Sequence, residues 1–348
     1  MAAAIEAARA RAGVTLIDEN DRPGGQLFKQ IHKFFGSEAH RAGTRGFKIG
    51  RDLLREAHDT RVEIRLNTVA YGLFPGNSLG LMCGDHTEEL HSEVIILATG
   101  ANENALAFPG WTLPGVMGAG ATQTLINIHR TLPGRRVLMV GAGNVGLIVS
   151  YQLLQAGAEV VAVVEGLPDI GGYGVHASKI RRAGVPILTS HTILRADGKE
   201  SVERAVIAQI DRNWETVAGT ERTVEVDTIC LAVGLSPLAE LAWMAGCRFT
   251  YTPLLGGWVP AHDEDMQTNV PGLYVAGDLA GIEEASTAME EGRLAGLAAA
   301  EALGYLPSRE AERKKAEVRE RLAALRIGSF GEERAEAKGQ IMTARSET

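Results

Sequence analysis

The chain has 348 residues, which is enough for two globular domains, each with its own core. Its formal net charge of −8 and the lack of a basic run argue against a nucleic-acid partner, and no apolar stretch is long enough to span a membrane. The three cysteines, Cys83, Cys230 and Cys247, lie far apart in the sequence and form no C-x-x-C motif. This spacing argues against a disulfide framework and against a metal site, so we expect a cytoplasmic α/β protein.

The first elements have the form of the second half of a βαβ unit. Residues 2–12 are Ala-rich and predict a helix, and the apolar run 14–18 predicts a short strand that ends on Asp18, with Glu19 next to it. The strand and glycine loop that precede the helix in such a unit do not stand in the sequence. On these residues alone, an ordinary helix beside an acidic turn remains an alternative.

A Pro/Gly-rich stretch at 108–120 separates the first elements from a second unit and indicates a crossing between domains. The run RRVLMV at 135–140 then predicts a strand, which leads directly into the motif GAGNVG and a helix. The residues of this predicted phosphate-binding loop are Gly141, Gly143, Asn144, Val145 and Gly146. Backbone N–H groups at the start of such a helix stabilise a pyrophosphate.

An acidic residue stands where the dinucleotide motif requires one. Glu165 ends the next apolar run, 19 residues after Gly146, and predicts a carboxylate that binds the adenosine ribose. The following residues, GLPD, contain no Arg or Lys for a 2′-phosphate, which favours NAD(H) over NADP(H). A tight structural turn followed by a surface glutamate is the alternative interpretation.

Three further motifs flank this unit: PGGQL at 23–27, IILATG at 95–100 and GLYVAGD at 272–278, the last followed by a long predicted helix. In combination and in this order, they resemble the pyridine nucleotide–disulfide oxidoreductase superfamily over residues 2–304. The resemblance implies two Rossmann-like domains, with the NAD domain inserted into the FAD domain. We expect an α/β fold with FAD-binding segments at 1–107 and 258–304, an NAD-binding domain at 108–257 and a charged helical tail at 305–348.

The resemblance also implies which residues hold the cofactors. Asp18 or Glu19 would bind the adenosine ribose of FAD, Asp278 the ribityl chain, and the helix after it would point its positive end at the flavin. Gly234, at a strand end, would lie beside the nicotinamide. The remaining residues implied to line the FAD are Gly24, Gly25, Gln26, Ala98, Thr99, Gly100, Gly277, Ser286 and Thr287.

Within the superfamily, the segments at 108–125, at 290–305 and at 319–331 resemble the FAD/NAD subunits of opine oxidase, hydrogen cyanide synthase, dye-linked proline dehydrogenase and sarcosine oxidase. The resemblance implies a flavin-dependent oxidoreductase subunit that passes hydride or electrons between NAD(H), FAD and a second acceptor in amine or amino-acid oxidation. The chain has no closely spaced cysteine pair, so we expect no redox-active disulfide, and we assign no catalytic acid or base. A truncated, non-catalytic nucleotide-binding subunit is the alternative.

The resemblance implies a partner as well. We expect a second redox subunit, either an amine-oxidising flavoprotein or an iron–sulfur protein, with self-association as the alternative. No cysteine follows Cys247, so the sequence does not carry the cysteine-rich C-terminal segment of some relatives. Because the resemblance places a strand and a glycine loop before the first helix, we also expect the coding sequence upstream of Met1 to continue in frame as these elements.

Overall fold

The computed structural model describes residues 1–34 and 38–346. The helices are α1 (Ala2–Arg9), α2 (Gly46–Asp59), α3 (Ala119–Asn127), α4 (Asn144–Ala156), α5 (Gly174–Arg182), α6 (Glu240–Met244), α7 (Ala285–Ala302), α8 (Ser308–Leu325) and α9 (Gly328–Ser346). The strands are β1 (Thr15–Ile17), β2 (Glu63–Arg65), β3 (Thr68–Phe74), β4 (Ser78–Cys83), β5 (His86–His91), β6 (Ile95–Leu97), β7 (Ala101–Glu103), β8 (Val116–Gly118), β9 (Arg136–Val140), β10 (Glu159–Glu165), β11 (Ile187–Thr189), β12 (His191–Asp197), β13 (Arg204–Gln209), β14 (Arg222–Glu225), β15 (Thr228–Leu231), β16 (Leu235–Pro237), β17 (Phe249–Thr252), β18 (Gly257–Pro260) and β19 (Leu273–Val275).

The chain divides into two compact units. Unit 1 contains Met1–Asn102 and Leu235–Thr348, and unit 2 contains Glu103–Gly234. In the chain, unit 2 is therefore inserted between the two parts of unit 1. This is the arrangement that the order of the motifs predicts. The observed limits differ from the predicted NAD-binding segment 108–257, because residues 235–257 pack within unit 1, where α6 contacts β3 and β17 pairs with β18.

Unit 2 is built on a parallel sheet of strand order β11-β10-β9-β15-β8, accompanied by the antiparallel sheet β12-β13-β14. A parallel sheet is covered on both faces, so its central strands are apolar throughout and their side chains alternate between two cores. In β9, Val137 and Met139 pack in one core with Leu147 of α4, whereas Leu138 packs in the other with Ile207 of the antiparallel sheet. This layering holds the carboxyl ends of β9, β10 and β15 at one edge.

Unit 1 contains smaller sheets. Its parallel strands form two separate pairs, β1 with β2 and β6 with β19, and the described residues supply no strand that joins them. The other sheets are the antiparallel β3-β4-β5 and β17-β18, and the pair of β16 and β7. Helix α7 crosses the unit in contact with both α1 and α8, and its buried Leu294 and Leu297 lie in the main core with Leu273 of β19.

The predicted charged tail is two helices, and α9 is anchored to the body of unit 1. Its Ala337 and Ile341 are buried against Leu255 and Val259. Between these two apolar positions, Lys338 is buried to 1% exposure. Among residues 1–34 and 38–346, no helix combines the length and hydropathy needed to cross a membrane, and no cluster of His, Cys, Asp and Glu could hold a metal ion.

A glycine governs how closely α1 and α7 approach. A Cβ added at Gly296 would collide with the carbonyl oxygen of Ala3. We therefore expect Gly296→Ala to lower the free energy of unfolding by about 1–3 kcal/mol, because the backbone of α1 must shift. Gly339 in α9 has open space where its Cβ would lie, so Gly339→Ala is the control and should stabilise by up to about 1 kcal/mol. Urea denaturation measures both, and an unchanged midpoint for Gly296→Ala would contradict the close packing.

Candidate nucleotide-binding site

The glycine loop of unit 2 joins β9 to α4 and leaves open space at its centre. Gly141 has a φ of +106°, and a Cβ there would collide with the carbonyl oxygen of Ala232. A Cβ at Gly146 would collide with the carbonyl oxygen of Gly141, so both glycines are required by the close packing of strand and helix. Nothing lies within 4 Å of a Cβ at Gly143, the residue before α4. A pyrophosphate could therefore approach the backbone at Gly143 and meet the positive end of the helix.

Glu165 lies at the carboxyl end of β10, next to this loop. One carboxylate oxygen accepts a hydrogen bond from the Ala142 N–H at 2.8 Å, and the other accepts from the Leu167 N–H at 3.0 Å. The side chain is thus held at the edge of the sheet, facing the loop, where an adenosine ribose would lie in a dinucleotide fold.

The segment after β10 also contacts the loop, a feature not predicted from the sequence. The Asn144 side-chain oxygen accepts a hydrogen bond from the Tyr173 N–H at 2.8 Å, and the Gly172 N–H donates to the Ala142 carbonyl at 3.0 Å. A Cβ at Gly172 would lie 2.8 Å from the carbonyl carbon of Gly143. The Gly-Gly pair at 171–172 is the sequence feature from which this contact could have been predicted, since close backbone approach requires glycine. Val145, the remaining loop residue, has a side chain that is 42% exposed.

Gly234 ends unit 2 in a left-handed conformation, with a φ of +115°. Its carbonyl accepts a hydrogen bond from the Asn104 N–H at 3.0 Å. A Cβ at Gly234 would lie 3.0 Å from the side-chain nitrogen of Asn104. The two points where the chain enters and leaves unit 2 are therefore joined at this glycine.

In the first part of unit 1, Asp18 follows β1 and accepts hydrogen bonds from the backbone and side-chain nitrogens of Asn20 at 3.0 and 2.9 Å. Asp18 is half-buried at the end of β1. Glu19 is exposed. Of the two carboxylates, Asp18 is therefore the one that hydrogen bonds hold in place at the end of β1.

The PGGQL turn has a defined geometry. Gly24 and Gly25 both have positive φ, at +117° and +51°, and Gln26 is exposed in the short helix that follows. A Cβ at Gly24 would lie 2.6 Å from the ring of Phe28. Gly24 and Gly25 are therefore required by the turn itself.

The ATG turn follows the end of β6. Ala98 is exposed, and the chain turns through Gly100, which has a φ of +80°. The Thr99 hydroxyl donates to the Leu238 carbonyl at 2.6 Å, and the Leu238 N–H donates to the Gly100 carbonyl at 2.9 Å. These bonds tie the ATG turn to the chain that returns from unit 2. The hydroxyl of Thr99 is thus used to hold the turn.

Asp278 lies half-buried in the loop between β19 and α7. Burial raises its pKa to about 6, and the nearby charge of Glu291 acts in the same direction, while the backbone N–H of Glu283 and the charge of Lys338 oppose it. The loop is held at both sides of Asp278: the Gly277 N–H donates to Glu291 at 3.1 Å, and Lys338 Nζ donates to the Ala280 carbonyl at 2.7 Å.

The charges around this loop are paired. Lys338 Nζ lies 2.6 Å from Glu291, and Arg326 lies 2.8 Å from Glu291 and 2.6 Å from Glu283. Burial would raise the pKa of Glu283, but hydrogen bonds and charges from Arg326 and Lys338 outweigh burial, and its pKa is lowered. Two cations from the C-terminal helical region thus balance two buried carboxylates beside Asp278. Neither Lys338 nor Arg326 was predicted from the sequence, because both lie in a segment whose pattern is charged throughout.

Helix α7 begins next to this loop with a capping box. The Thr287 hydroxyl accepts a hydrogen bond from the Glu284 N–H at 3.1 Å and donates to the Glu284 carbonyl. Ser286 and Thr287 are both buried. The structure thus uses the Thr287 side chain to cap the helix. The first turn of α7 packs against the loop that carries Asp278, since a Cβ at Gly277 would lie 3.4 Å from the Ala288 Cβ.

The cysteines lie in three separate places, at the end of β4, in β15 and between α6 and β17, and none is in a disulfide. Burial raises the pKa of Cys230 to about 12, and burial also raises the pKa of Cys247. Cys83, at the end of β4, is exposed. Burial therefore favours the protonated form of both thiols, which is the less nucleophilic form.

The residues fit a nicotinamide dinucleotide in unit 2, since the loop offers an open helix N-terminus and a carboxylate at the adjacent strand end. In unit 1 they fit one end of FAD: the carboxylate of Asp278 can accept further hydrogen bonds, and the start of α7 lies beside it. At the phosphate end, the described residues of unit 1 offer the Gly24–Gly25 turn and no loop of the G-x-G-x-x-G type.

The chain is similar to known proteins over most of its length. The family model described as "Pyridine nucleotide-disulphide oxidoreductase" matches residues 1–292. An opine oxidase subunit of Agrobacterium tumefaciens is 30% identical over 86% of this chain, which spans 63% of that protein's length. Hydrogen cyanide synthase subunit HcnB of Pseudomonas aeruginosa is 29% identical over 100% of this chain and 79% of its own.

Solved structures show the same fold. Thioredoxin reductase of T. acidophilum superposes with a TM-score of 0.70 at 19% identity, covering 87% of this chain and 94% of its own. L-proline dehydrogenase of P. horikoshii superposes with a TM-score of 0.66 at 23% identity, covering 91% of this chain and 57% of its own. With its two dinucleotide-type units and a family match over residues 1–292, the chain belongs to the pyridine nucleotide-disulphide oxidoreductase family, which implies FAD and NAD(P) as cofactors.

Proposed function

We propose that the chain is a flavin-dependent oxidoreductase subunit that transfers hydride between NAD(H) and FAD and exchanges electrons with a partner protein in amine or amino-acid oxidation. The observation that carries this proposal is the loop of unit 2, where Gly143 is open and Glu165 is held beside it by the Ala142 N–H at 2.8 Å. The reaction class rests on the names of the relatives, which include opine oxidase and sarcosine oxidase subunits.

The protein's residues bind and orient in this proposal. The start of α4 would hold the pyrophosphate of NAD(H), Glu165 the adenosine ribose, and Gly234 would line the nicotinamide side. In unit 1, Asp278 would bind the ribityl chain, and the positive end of α7 would favour negative charge on a reduced flavin. When bound, the two cofactors supply the hydride chemistry, which needs no acid or base from the protein.

We also propose that no disulfide takes part. A dithiol relay requires two adjacent cysteines with at least one accessible thiolate. Cys230 and Cys247 are buried with raised pKa values, and Cys83 lies alone at a strand end. Electrons would therefore leave the flavin directly for a second substrate or for a partner.

A partner protein is supported by exposed aromatic side chains of unit 1, which we term the aromatic ridge. They form two groups, Tyr71 and Phe74 on β3, and Trp243, Tyr251 and Trp258, of which Trp243 lies on α6 in contact with β3. The rings form edge contacts, with centroid distances of 6.5 Å for Tyr71 and Phe74, 6.1 Å for the two tryptophans and 5.2 Å for Tyr251 and Trp258. All five side chains are between 42% and 59% exposed. At ~200 Å² per aromatic side chain, the ridge offers ~500 Å², a large part of the ~800 Å² that each partner contributes to a standard interface.

The first prediction concerns the choice of nicotinamide. We expect NADH to bind at least about tenfold more tightly than NADPH, a difference of about 1.4 kcal/mol, because Glu165 repels a 2′-phosphate and the following residues GLPD contain no Arg or Lys. Glu165→Gln should lower the ratio of the affinity for NADH to the affinity for NADPH. Glu159→Gln is the control, since Glu159 lies at the exposed opposite end of β10 and pairs with Arg136. Calorimetric titration measures the affinities, and equal values for both nucleotides in the wild type would refute the assignment.

The second prediction concerns the flavin. The purified protein should show a flavin absorption band that is bleached by anaerobic NADH, because the proposal requires both cofactors in one chain. An absorption spectrum before and after NADH tests this directly. A colourless protein that still binds an adenine nucleotide would instead support the alternative, a non-catalytic nucleotide-binding subunit.

The third prediction concerns the partner. Purified from its native source, the protein should be accompanied by a second redox polypeptide, and Trp258→Ser should release it because the ridge loses part of its apolar area. Trp111→Ser is the matched control, since Trp111 is 42% exposed and lies in unit 2. Co-purification followed by mass spectrometry identifies the partner. Isolation of the wild type as a lone and fully active amine dehydrogenase would contradict the proposal.

A further inference from the structure

The chain carries an exposed tryptophan next to the proposed ribose-binding residue. Trp214 lies in the loop between β13 and β14, in unit 2, and 63% of it is exposed. Its indole nevertheless lies on Gly166, the residue directly after Glu165. A Cβ at Gly166 would be 2.5 Å from Cζ3 and 2.9 Å from Cη2 of this indole. One part of the ring is therefore seated against the backbone at the end of β10, and the rest faces solvent.

The loop reaches this place because its base is bound to the edge of the parallel sheet. Ser190, the residue after β11, donates its N–H to the Leu167 carbonyl at 2.9 Å. The Ile210 N–H in turn donates to the Ser190 carbonyl at 2.8 Å. The start of the loop is thus connected to the carboxyl ends of β10 and β11, the edge at which α/β sheets bind their ligands.

The loop is also ordered by its own hydrogen bonds. One carboxylate oxygen of Asp211 accepts from the Asn213 N–H at 2.9 Å and from the Glu215 N–H at 3.0 Å, and the Asp211 carbonyl accepts from the Trp214 N–H at 3.1 Å. Trp214 itself has a φ of +64°, a conformation that a bulky side chain rarely adopts. These bonds keep a strained backbone in place, and the consequence is that the indole is directed at Gly166.

We infer that Trp214 is a binding residue for the adenine of the dinucleotide and forms one wall of the adenine pocket. The inference rests on the proposed dinucleotide site, since a ribose on Glu165 places the adenine next to the residues that follow β10. An indole face that is exposed and already ordered can stack on an adenine, because every base has a π-face. The absence of a side chain at Gly166 leaves room for the indole there.

Titration of the full-length protein with ADP-ribose tests the inference, because this probe has the adenine, the ribose and the pyrophosphate but no nicotinamide. Trp214→Ala should weaken binding at least about tenfold, whereas Trp214→Phe should keep it within about threefold because a phenyl ring also stacks. Gly166→Ala, in a chain that keeps Trp214, should weaken binding of ADP-ribose about as much as Trp214→Ala does, because the added methyl group displaces the indole. Thermal denaturation of each variant reports whether the fold is retained.

A spectroscopic measurement separates stacking from a purely structural role. With Trp111, Trp243 and Trp258 replaced by Phe, Trp214 is the one remaining tryptophan. ADP-ribose should then quench its fluorescence, and ribose 5-phosphate, which has no base, should not. Unchanged fluorescence together with wild-type affinity in Trp214→Ala would overturn the inference while leaving the dinucleotide site in place. If the wild type binds no ADP-ribose, both this inference and the proposed function fail.

Discussion

The parallel pairing of β9 with β10 and with β15 is the constraint on which the proposed site depends. Parallel strands in one sheet end at the same edge, so Gly141, Glu165 and Ala232 are brought together although they are far apart in the chain. The hydrogen bond from the Ala142 N–H to Glu165 and the tight packing of Gly141 against Ala232 both follow from this pairing. Without it, the glycine loop would be a turn with no acidic residue beside it.

In unit 1, the main constraint is that charged side chains are buried near Asp278. Glu283 and Glu291 are almost fully buried, and such carboxylates are tolerated only when cations are close. Arg326 and Lys338 supply these cations from the C-terminal helical region, and Lys338 also donates to the Ala280 carbonyl. Removing one partner from a buried pair costs about 3–5 kcal/mol. The C-terminal helix α9 is thus tied to the geometry of the loop that carries Asp278.

The candidate sites of the two units depend on different kinds of contact, local in unit 2 and distant in unit 1. In unit 2 the central parallel sheet is continuous, and its glycine loop is formed by consecutive residues. In unit 1 the parallel strands remain two pairs, and the candidate residues come from three segments of the chain, around Asp18, Gly100 and Asp278. A site assembled in this way depends on distant packing, for instance the bonds from Thr99 and Gly100 to Leu238.

Features that depend on neighbouring residues could be predicted from the amino-acid order. An apolar strand, G-x-G-x-x-G and a helix follow one another without a gap, and the order of the motifs indicated an inserted domain. Which distant groups meet became visible only in the folded chain. Lys338 lies in a segment with a charged pattern and is nonetheless buried, because Ala337 and Ile341 on either side pack into unit 1. Trp214 stands in a polar loop, and hydrogen bonds through Ser190 and Asp211 bring it to Gly166. Contacts between distant segments such as Ser190 and Leu167 leave no local pattern in the chain.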